Sequence, residues 1–273
     1  MLMPETEILI KLGRRILARL KPTRAASLPA ATPLKIISTA GYEIACHWFV
    51  HDQSAPTLLC CPDFPDTSAS FLENRYPFSC AAVFEAGYNL MIFDPAGRGQ
   101  SWGTEDHGGL EHQDNVARLL AWIHEQNPQS NIGVFSIGCG LSMAIGGIIS
   151  SGVPVDFLMD MEGPSDEEFL EPIFSLSKKV IHQHFWKERS PIQLLSALTT
   201  PYIRIQGEYD HLQGYDMRHC NRIFRQLAQQ KHPHFQLNNH PAGSYPPQPH
   251  LFVNDKRVLT QRITALLSSL NQG

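Results

Sequence analysis

The segment 131–143, which reads NIGVFSIGCGLSM, has the residue types and spacing of a turn that displays a nucleophile. An apolar, β-branched run stops at Gly138, and a helix-like apolar run continues over 141–149. A strand, a sharp turn and a helix in this order form a nucleophile elbow, which lifts one side chain above a parallel sheet. The backbone packs so closely in this turn that the residues two before and two after its tip have to be small.

This steric rule indicates which residue lies at the tip of the elbow. A tip at Gly138 is flanked by Ser136 and Gly140, both of which are small. A tip at Ser136 would require a valine at one flanking position, and a tip at Cys139 would require isoleucine and leucine. We therefore predict that the nucleophile position is Gly138, which has no nucleophilic side chain. Ser136 is kept as the alternative nucleophile.

The elements around the elbow indicate an α/β fold. Strand-like and helix-like runs alternate along the chain, which predicts a mostly parallel central sheet flanked by helices, with the site at the carboxyl ends of the strands. A hairpin is predicted over 34–50. The segment 163–198 lies between two strands and is too long for a simple crossover, so we expect a small helical cap there. The predicted organisation is an N-terminal amphipathic helix and linker over 1–33, then one domain over 34–273.

Composition excludes several classes of function. The net charge is −4 over 273 residues, which gives no reason to expect a nucleic-acid partner. The six cysteines form no C-x-x-C spacing, which favours reduced thiols and a cytoplasmic location. The histidines at 182–184 and 232–234 lack a third ligand at a sensible spacing, so no metal is expected. No dinucleotide or phosphate motif is present, and we expect no cofactor.

The N-terminal segment 8–21 is amphipathic and basic. This pattern fits a terminal helix that lies on the surface of the domain. It also fits an interfacial helix that contacts a membrane surface or a partner protein. The sequence leaves both interpretations open.

Four motifs in order resemble the α/β-hydrolase superfamily, and the match covers nearly the whole chain beyond residue 34. The glycine-rich run DPAGRGQS at 94–101 resembles the turn after the fourth strand of that family, and PDFPDTS at 62–68 takes the place of its oxyanion loop. Asp210 follows the seventh predicted strand, and His250 precedes the last predicted helix. This chain departs from the family at the nucleophile. The family pattern is small-x-nucleophile-x-small, and the corresponding residues here are S-I-G-C-G.

The resemblance implies acyl transfer, in which a serine attacks an ester or amide carbonyl. His250 would take the proton of the serine, and Asp210 would orient the imidazole. Backbone N–H groups of Cys139 and from near Phe64 would stabilise the oxyanion. Glu162 and Asp160, at the end of the sixth predicted strand, are a second possible acid. Asp210 could instead cap a helix, and His250 could be a surface residue.

Three hypotheses for the function follow. The first is a hydrolase of a small ester, amide or acyl substrate that uses Ser136, or a water molecule held by His250, although the vacancy at Gly138 would impair or abolish activity. The second is a non-catalytic hydrolase-fold protein that binds a ligand or a partner. The third is a membrane-surface or scaffold protein that makes its contact through 8–21.

Overall fold

A computed structural model describes residues 28–166, 185, 187–206, 218–238 and 256–271, and only the backbone of 235–238 and 256–259. The predicted N-terminal helix at 8–21 and most of the cap lie outside these residues. Among the described residues, no helix is long and apolar enough to cross a membrane.

An eight-stranded sheet forms the centre of the domain, with the strand order β1-β2-β4-β3-β5-β6-β7-β8. The strands are β1 Thr32–Ile37, β2 Glu43–Phe49, β3 Thr57–Cys61, β4 Asn89–Phe93, β5 Ile132–Ile137, β6 Phe157–Met161, β7 Tyr202–Gln206 and β8 His234–Asn238. β1 pairs with β2, and β2 with β4, in antiparallel register, whereas all pairs from β4 to β8 are parallel. The predicted hairpin and the predicted mostly parallel sheet are therefore confirmed.

The described helices flank this sheet. They are α1 Ser68–Leu72, α2 Cys80–Glu85, α3 Leu110–Gln126, α4 Gly140–Ser151, α5 Pro191–Leu194, α6 Arg218–Gln229 and α7 Lys256–Leu270. α1 was not anticipated from the sequence, where PDFPDTS was interpreted as a loop alone. The side-chain oxygen of Thr67 accepts a hydrogen bond from the N–H of Ala69, which caps this short helix.

Two hydrophobic clusters cover the two faces of the sheet. Leu59 and Met91 pack with Leu120 of α3 and Leu141 of α4 on one face. Neighbouring strand residues such as Leu58 point to the other face, which packs against α2 and α7. Every residue of β3, β4, β5, β6 and β7 is buried, as expected for parallel strands covered by helices on both sides. This rigid sheet positions the loops at its carboxyl edge.

The described end of the predicted cap contacts the rest of the domain. The guanidinium of Arg189 lies 3.7 Å above the ring of Phe185 and donates a hydrogen bond to the carbonyl of Asp106, at 2.9 Å. The hydroxyl of Ser142 in α4 donates to the carbonyl of Arg189, at 2.6 Å. These contacts fasten the segment before α5 to the loop before α3 and to α4. The boundaries 1–33, 34–273 and 163–198 stay predictions.

Candidate active site

The turn between β5 and α4 has the geometry of an elbow with its tip at Gly138. Gly138 has φ +51°, a left-handed conformation that strains any residue with a side chain. A Cβ atom at Gly140 would lie 2.5 Å from the carbonyl oxygen of Pro62, so only glycine fits two residues after the tip. This is the frame that the steric rule favoured.

The carboxylate of Asp63 lies in the position where the resemblance places the oxyanion. Its Oδ1 accepts a hydrogen bond from the backbone N–H of Cys139, at 2.7 Å, and another from the backbone N–H of Phe64, at 2.8 Å. In an oxyanion hole, two N–H groups converge on one anionic oxygen in this way. In this chain the oxygen that they bind belongs to the protein itself.

The same carboxylate fills the space of a side chain at the tip. A Cβ built on Gly138 would lie 2.3 Å from Oδ1, 2.4 Å from Cγ and 2.5 Å from Oδ2 of Asp63. All three distances are far below van der Waals contact. The absence of a side chain at 138 and the position of Asp63 therefore depend on each other, because a serine at 138 would have to displace the carboxyl group.

Backbone contacts fix the loop that carries Asp63. Arg98 donates through Nη1 to the carbonyl oxygens of Asp63, at 3.0 Å, and Asp66, at 3.3 Å. Arg98 is held in turn by a bidentate pair with Glu105, at 2.6 and 2.9 Å. The N–H of Asp63 donates to the hydroxyl of Tyr76, at 3.1 Å. A buried, charge-assisted network thus orients the loop at the elbow.

The glycine-rich turn at 94–101 contributes to the same support. The carboxylate of Asp94 accepts from the N–H of Ser68 at the start of α1 and from the N–H of Gln100, both at 2.8 Å. A Cβ at Gly99 would lie 2.2 Å from Oδ2 of Asp94, so the glycine permits this close packing. The turn is a scaffold for the oxyanion loop.

The two other possible nucleophiles are buried and lack the features of an activated group. Burial, together with the nearby carboxylate of Asp63, raises the pKa of the Cys139 thiol well above its ordinary value. A protonated thiol is a poor nucleophile. Ser136 is fully buried in β5, and its Oγ has no hydrogen-bond partner among the described residues. Its role as nucleophile stays a prediction, which this environment disfavours because no described base reaches it.

The remaining predicted site residues are only partly within the described chain. Glu162 follows β6 with φ +57°, is buried, and donates its N–H to the carbonyl of Ile205, at 3.1 Å. Asp210 and His250 lie outside the described residues, so their roles stay predictions. In the described part of the chain, no group of three or more histidine, cysteine or acidic residues could hold a metal ion.

A second Ser/His/Asp group occurs after β6 and is also buried. The Oγ of Ser165 lies 2.7 Å from Nδ1 of His219 in α6, and the N–H of Ser165 donates to the same nitrogen, at 2.9 Å. Ser165 also bonds the carboxylate of Asp166, which forms an ion pair with Arg222 at 2.6 Å. Because Ser165 has no exposed surface, this group fastens the loop after β6 to α6 and does not face a substrate.

Solved structures share this fold at low sequence identity. An esterase from Pyrococcus furiosus gives a TM-score of 0.61 at 16% identity, over 80% of this chain and 90% of that one. A serine hydrolase without a lid from Xanthomonas campestris gives 0.54 at 14% identity, over 91% and 97%. Dipeptidyl peptidase 4 from Porphyromonas gingivalis gives 0.62 at 16% identity, over 78% of this chain and 32% of that one.

These similarities establish the fold and leave the activity open. Neither a protein-family model nor a curated protein sequence matches the chain. The predicted α/β-hydrolase fold is confirmed, and the chain is a hydrolase-fold protein.

The sequence did not indicate the contact that Asp63 makes at the elbow. The N–H groups of Cys139 and Phe64 both donate to Asp63, and their predicted role as oxyanion donors, given for Cys139 and for a group near Phe64, stays a prediction. Asp63 received no role, because an aspartate in a loop normally faces solvent. The signal was its position next to Phe64 in a chain that has glycine at the elbow tip, where the missing side chain leaves space for a carboxyl group.

Proposed function

We propose that this chain is a hydrolase-fold protein that binds a small organic ligand at the carboxyl edge of its sheet and carries out no serine-type acyl transfer there. The observation that supports this proposal is the carboxylate of Asp63, which accepts from both oxyanion donors at 2.7 and 2.8 Å. A substrate carbonyl cannot enter a hole that already contains an oxygen atom.

The side chains at the elbow support the same proposal. Gly138 offers no nucleophile, and the raised pKa of Cys139 keeps its thiol protonated at neutral pH. Ser136 lies below the tip, fully buried. A serine-type mechanism would therefore require movement of both the nucleophile and the oxyanion loop, whereas ligand binding requires neither.

A second candidate function is hydrolysis of a small ester, amide or acyl substrate. The intact pair of converging N–H groups favours it, because this arrangement is the part of a hydrolase site that stabilises the transition state. Such a hydrolase would use Ser136, or water activated by His250, and Asp63 would have to leave the hole during turnover. Activity of this kind would be slow, as in hydrolases that lack their nucleophile.

Hydrolysis of p-nitrophenyl esters, from acetyl to octanoyl, distinguishes the two candidates. We expect the protein to release p-nitrophenol at the rate of buffer, and Gly138→Ser alone to stay silent because Asp63 occupies the space of the new side chain. Ser136→Ala and His250→Ala test the alternative, with Gly138→Ala as the matched control for backbone strain. Turnover by the unchanged protein that disappears in Ser136→Ala would contradict the proposal.

A further inference from the structure

A cavity of about 500 Å³ lies at the amino edge of the sheet, opposite the elbow. β3 begins at Thr57 and β4 begins at Asn89, and both residues line this cavity, together with Trp48 near the end of the antiparallel β2. The last two turns of α3 contribute Ile123 and Gln126. The volume lies within the usual range for small-molecule sites, roughly 300–1,000 Å³.

The loop between β2 and β3, residues 50–56, contributes to the cavity wall and is fixed from two sides. The buried side chain of Asn89 accepts a hydrogen bond from the N–H of Asp52, at 3.2 Å, and donates one to the carbonyl of the same residue, at 2.9 Å. From the other side, Nδ2 of Asn127 at the end of α3 donates to the carbonyl of Gln53, at 2.6 Å. These contacts hold the cavity wall in place without a ligand.

Trp48 provides an aromatic surface in the cavity. Its ring contacts the ring of Trp122 in an edge-to-face arrangement, with centroids 5.5 Å apart and an interplanar angle of 86°. Because Trp122 does not line the cavity, this contact orients Trp48 and leaves the cavity itself open. The face of an aromatic ring carries partial negative charge, and it attracts the weakly positive C–H groups on one side of a sugar ring.

Three uncharged polar groups belong to residues that line the cavity and have no hydrogen-bond partner in the described part of the chain. They are the hydroxyl of Thr57 and the side-chain amides of Gln53 and Gln126. Thr57 is only 3% exposed, so a ligand that covered its hydroxyl without bonding it would leave a buried polar group unsatisfied. A hydroxyl or an amide can both donate and accept, which matches the hydroxyl groups of a sugar.

We infer that this cavity is a second ligand site and that it binds a neutral sugar ring. One face of the ring packs on Trp48, and the ring hydroxyls bond to Thr57, Gln53 and Gln126. None of the described residues that line the cavity is charged, so an anionic or cationic ligand would meet no opposite charge there. A purely apolar ligand would leave the hydroxyl of Thr57 without a partner. This site is separate from the ligand site proposed at the elbow, and neither depends on the other.

The test titrates the full chain with the methyl glycosides of β-glucose, β-galactose and α-mannose. Each is added up to about 50 mM, which saturates a site with a dissociation constant of about 1 mM. Binding is followed by NMR through the indole N–H of Trp48, whose signal is assigned with Trp48→Phe. Cyclohexylmethanol, which has a six-membered ring but a single hydroxyl, is the apolar comparison.

Two variants each remove one polar group from the cavity. Thr57→Val preserves the shape of the side chain, and Gln126→Leu changes an exposed position that the fold tolerates more easily. Gln129→Leu is the matched control, because Gln129 is also exposed but does not line the cavity. All variants are compared at the same temperature after circular dichroism has shown that they are folded.

We expect at least one glycoside to shift the Trp48 signal saturably, with affinity about fivefold or more weaker in Thr57→Val and Gln126→Leu and unchanged in Gln129→Leu. The absence of a saturable shift with all three glycosides would overturn the inference. So would equal affinity for cyclohexylmethanol, or unchanged affinity in Thr57→Val or Gln126→Leu. None of these results affects the function proposed for the elbow, which the p-nitrophenyl esters test separately.

Discussion

Two buried carboxylates, those of Asp63 and Asp160, meet hydrogen-bond donors of different kinds. Asp63 accepts from two backbone N–H groups in a loop at the edge of the sheet. Asp160 lies inside β6, where it accepts from the side chains of Arg204, at 2.6 Å, and Tyr202, at 2.5 Å, and from the backbone N–H of Gly163, at 3.0 Å. The comparison indicates that Asp160 belongs to a buried structural ion pair, whereas Asp63 lies beside Gly138, the predicted nucleophile position.

The largest effect is expected at the core pair. Arg204→Met would leave the carboxylate of Asp160 buried without its cation, and breaking such a pair costs about 3–5 kcal/mol. We expect urea unfolding to show this loss, and Asp160→Asn/Arg204→Met to recover part of it because no charge stays unpaired. A loss below about 1 kcal/mol for the single variant would contradict the assignment of Asp160 to a structural role.

Gly138→Ser tests the interdependence of the tip and the oxyanion loop. The left-handed backbone conformation and the clash of the new side chain with the carboxyl group of Asp63 should together lower the free energy of unfolding by about 2–4 kcal/mol. Asp63→Ala/Gly138→Ser should lose less than the sum of the two single variants, because the alanine makes room for the serine. Additive losses in this double-mutant cycle would show that the two positions do not compete for space.

Asp63→Ala should cost about 1–3 kcal/mol, since it leaves the N–H groups of Cys139 and Phe64 without their acceptor. Asp63→Asn should cost less, because its amide oxygen can still accept both hydrogen bonds. Thermal or urea unfolding of the two variants separates these losses. Equal losses would indicate that the charge of Asp63, and not its position as an acceptor, stabilises the loop.

Two buried histidines predict that the folding stability of the protein decreases as the pH is lowered. Burial lowers the pKa of His112 and of His219 to about 4, from an ordinary value near 6.5. The unfolded chain therefore binds more protons than the folded chain below pH 6.5, and stability decreases from that pH towards 4. Measuring the titration of both rings by NMR checks this expectation, and midpoints near 6.5 would refute it.

Most of the fold followed from the sequence because its signals are local. The apolar run that stops at Gly138 and the hairpin over 34–50 each carry their own periodicity or turn residues, and both form as predicted. The elbow frame was predictable for the same reason, since a clash of backbone with side chain depends on residues two positions apart.

The occupant of the oxyanion hole was not predictable in this way. Asp63 and Cys139 are 76 positions apart, and their contact depends on how β3 and β5 pair in the sheet. Likewise, the sequence offers Asp160 as a possible acid, and only the structure shows that Arg204 forms an ion pair with it. Long-range contacts of this kind decide whether an aspartate can take part in a reaction, and no local sequence pattern predicts them.

The hydrogen bonds of Asp63 can be observed directly by NMR. Scalar coupling across a hydrogen bond links the amide nitrogen of the donor to the carbon that bears the acceptor oxygen. We predict such couplings from the amides of both Cys139 and Phe64 to the single Cγ of Asp63, and slow exchange of both amide protons with solvent. The absence of both couplings together with rapid exchange would mean that the hole is open to water, and would contradict the account of this site.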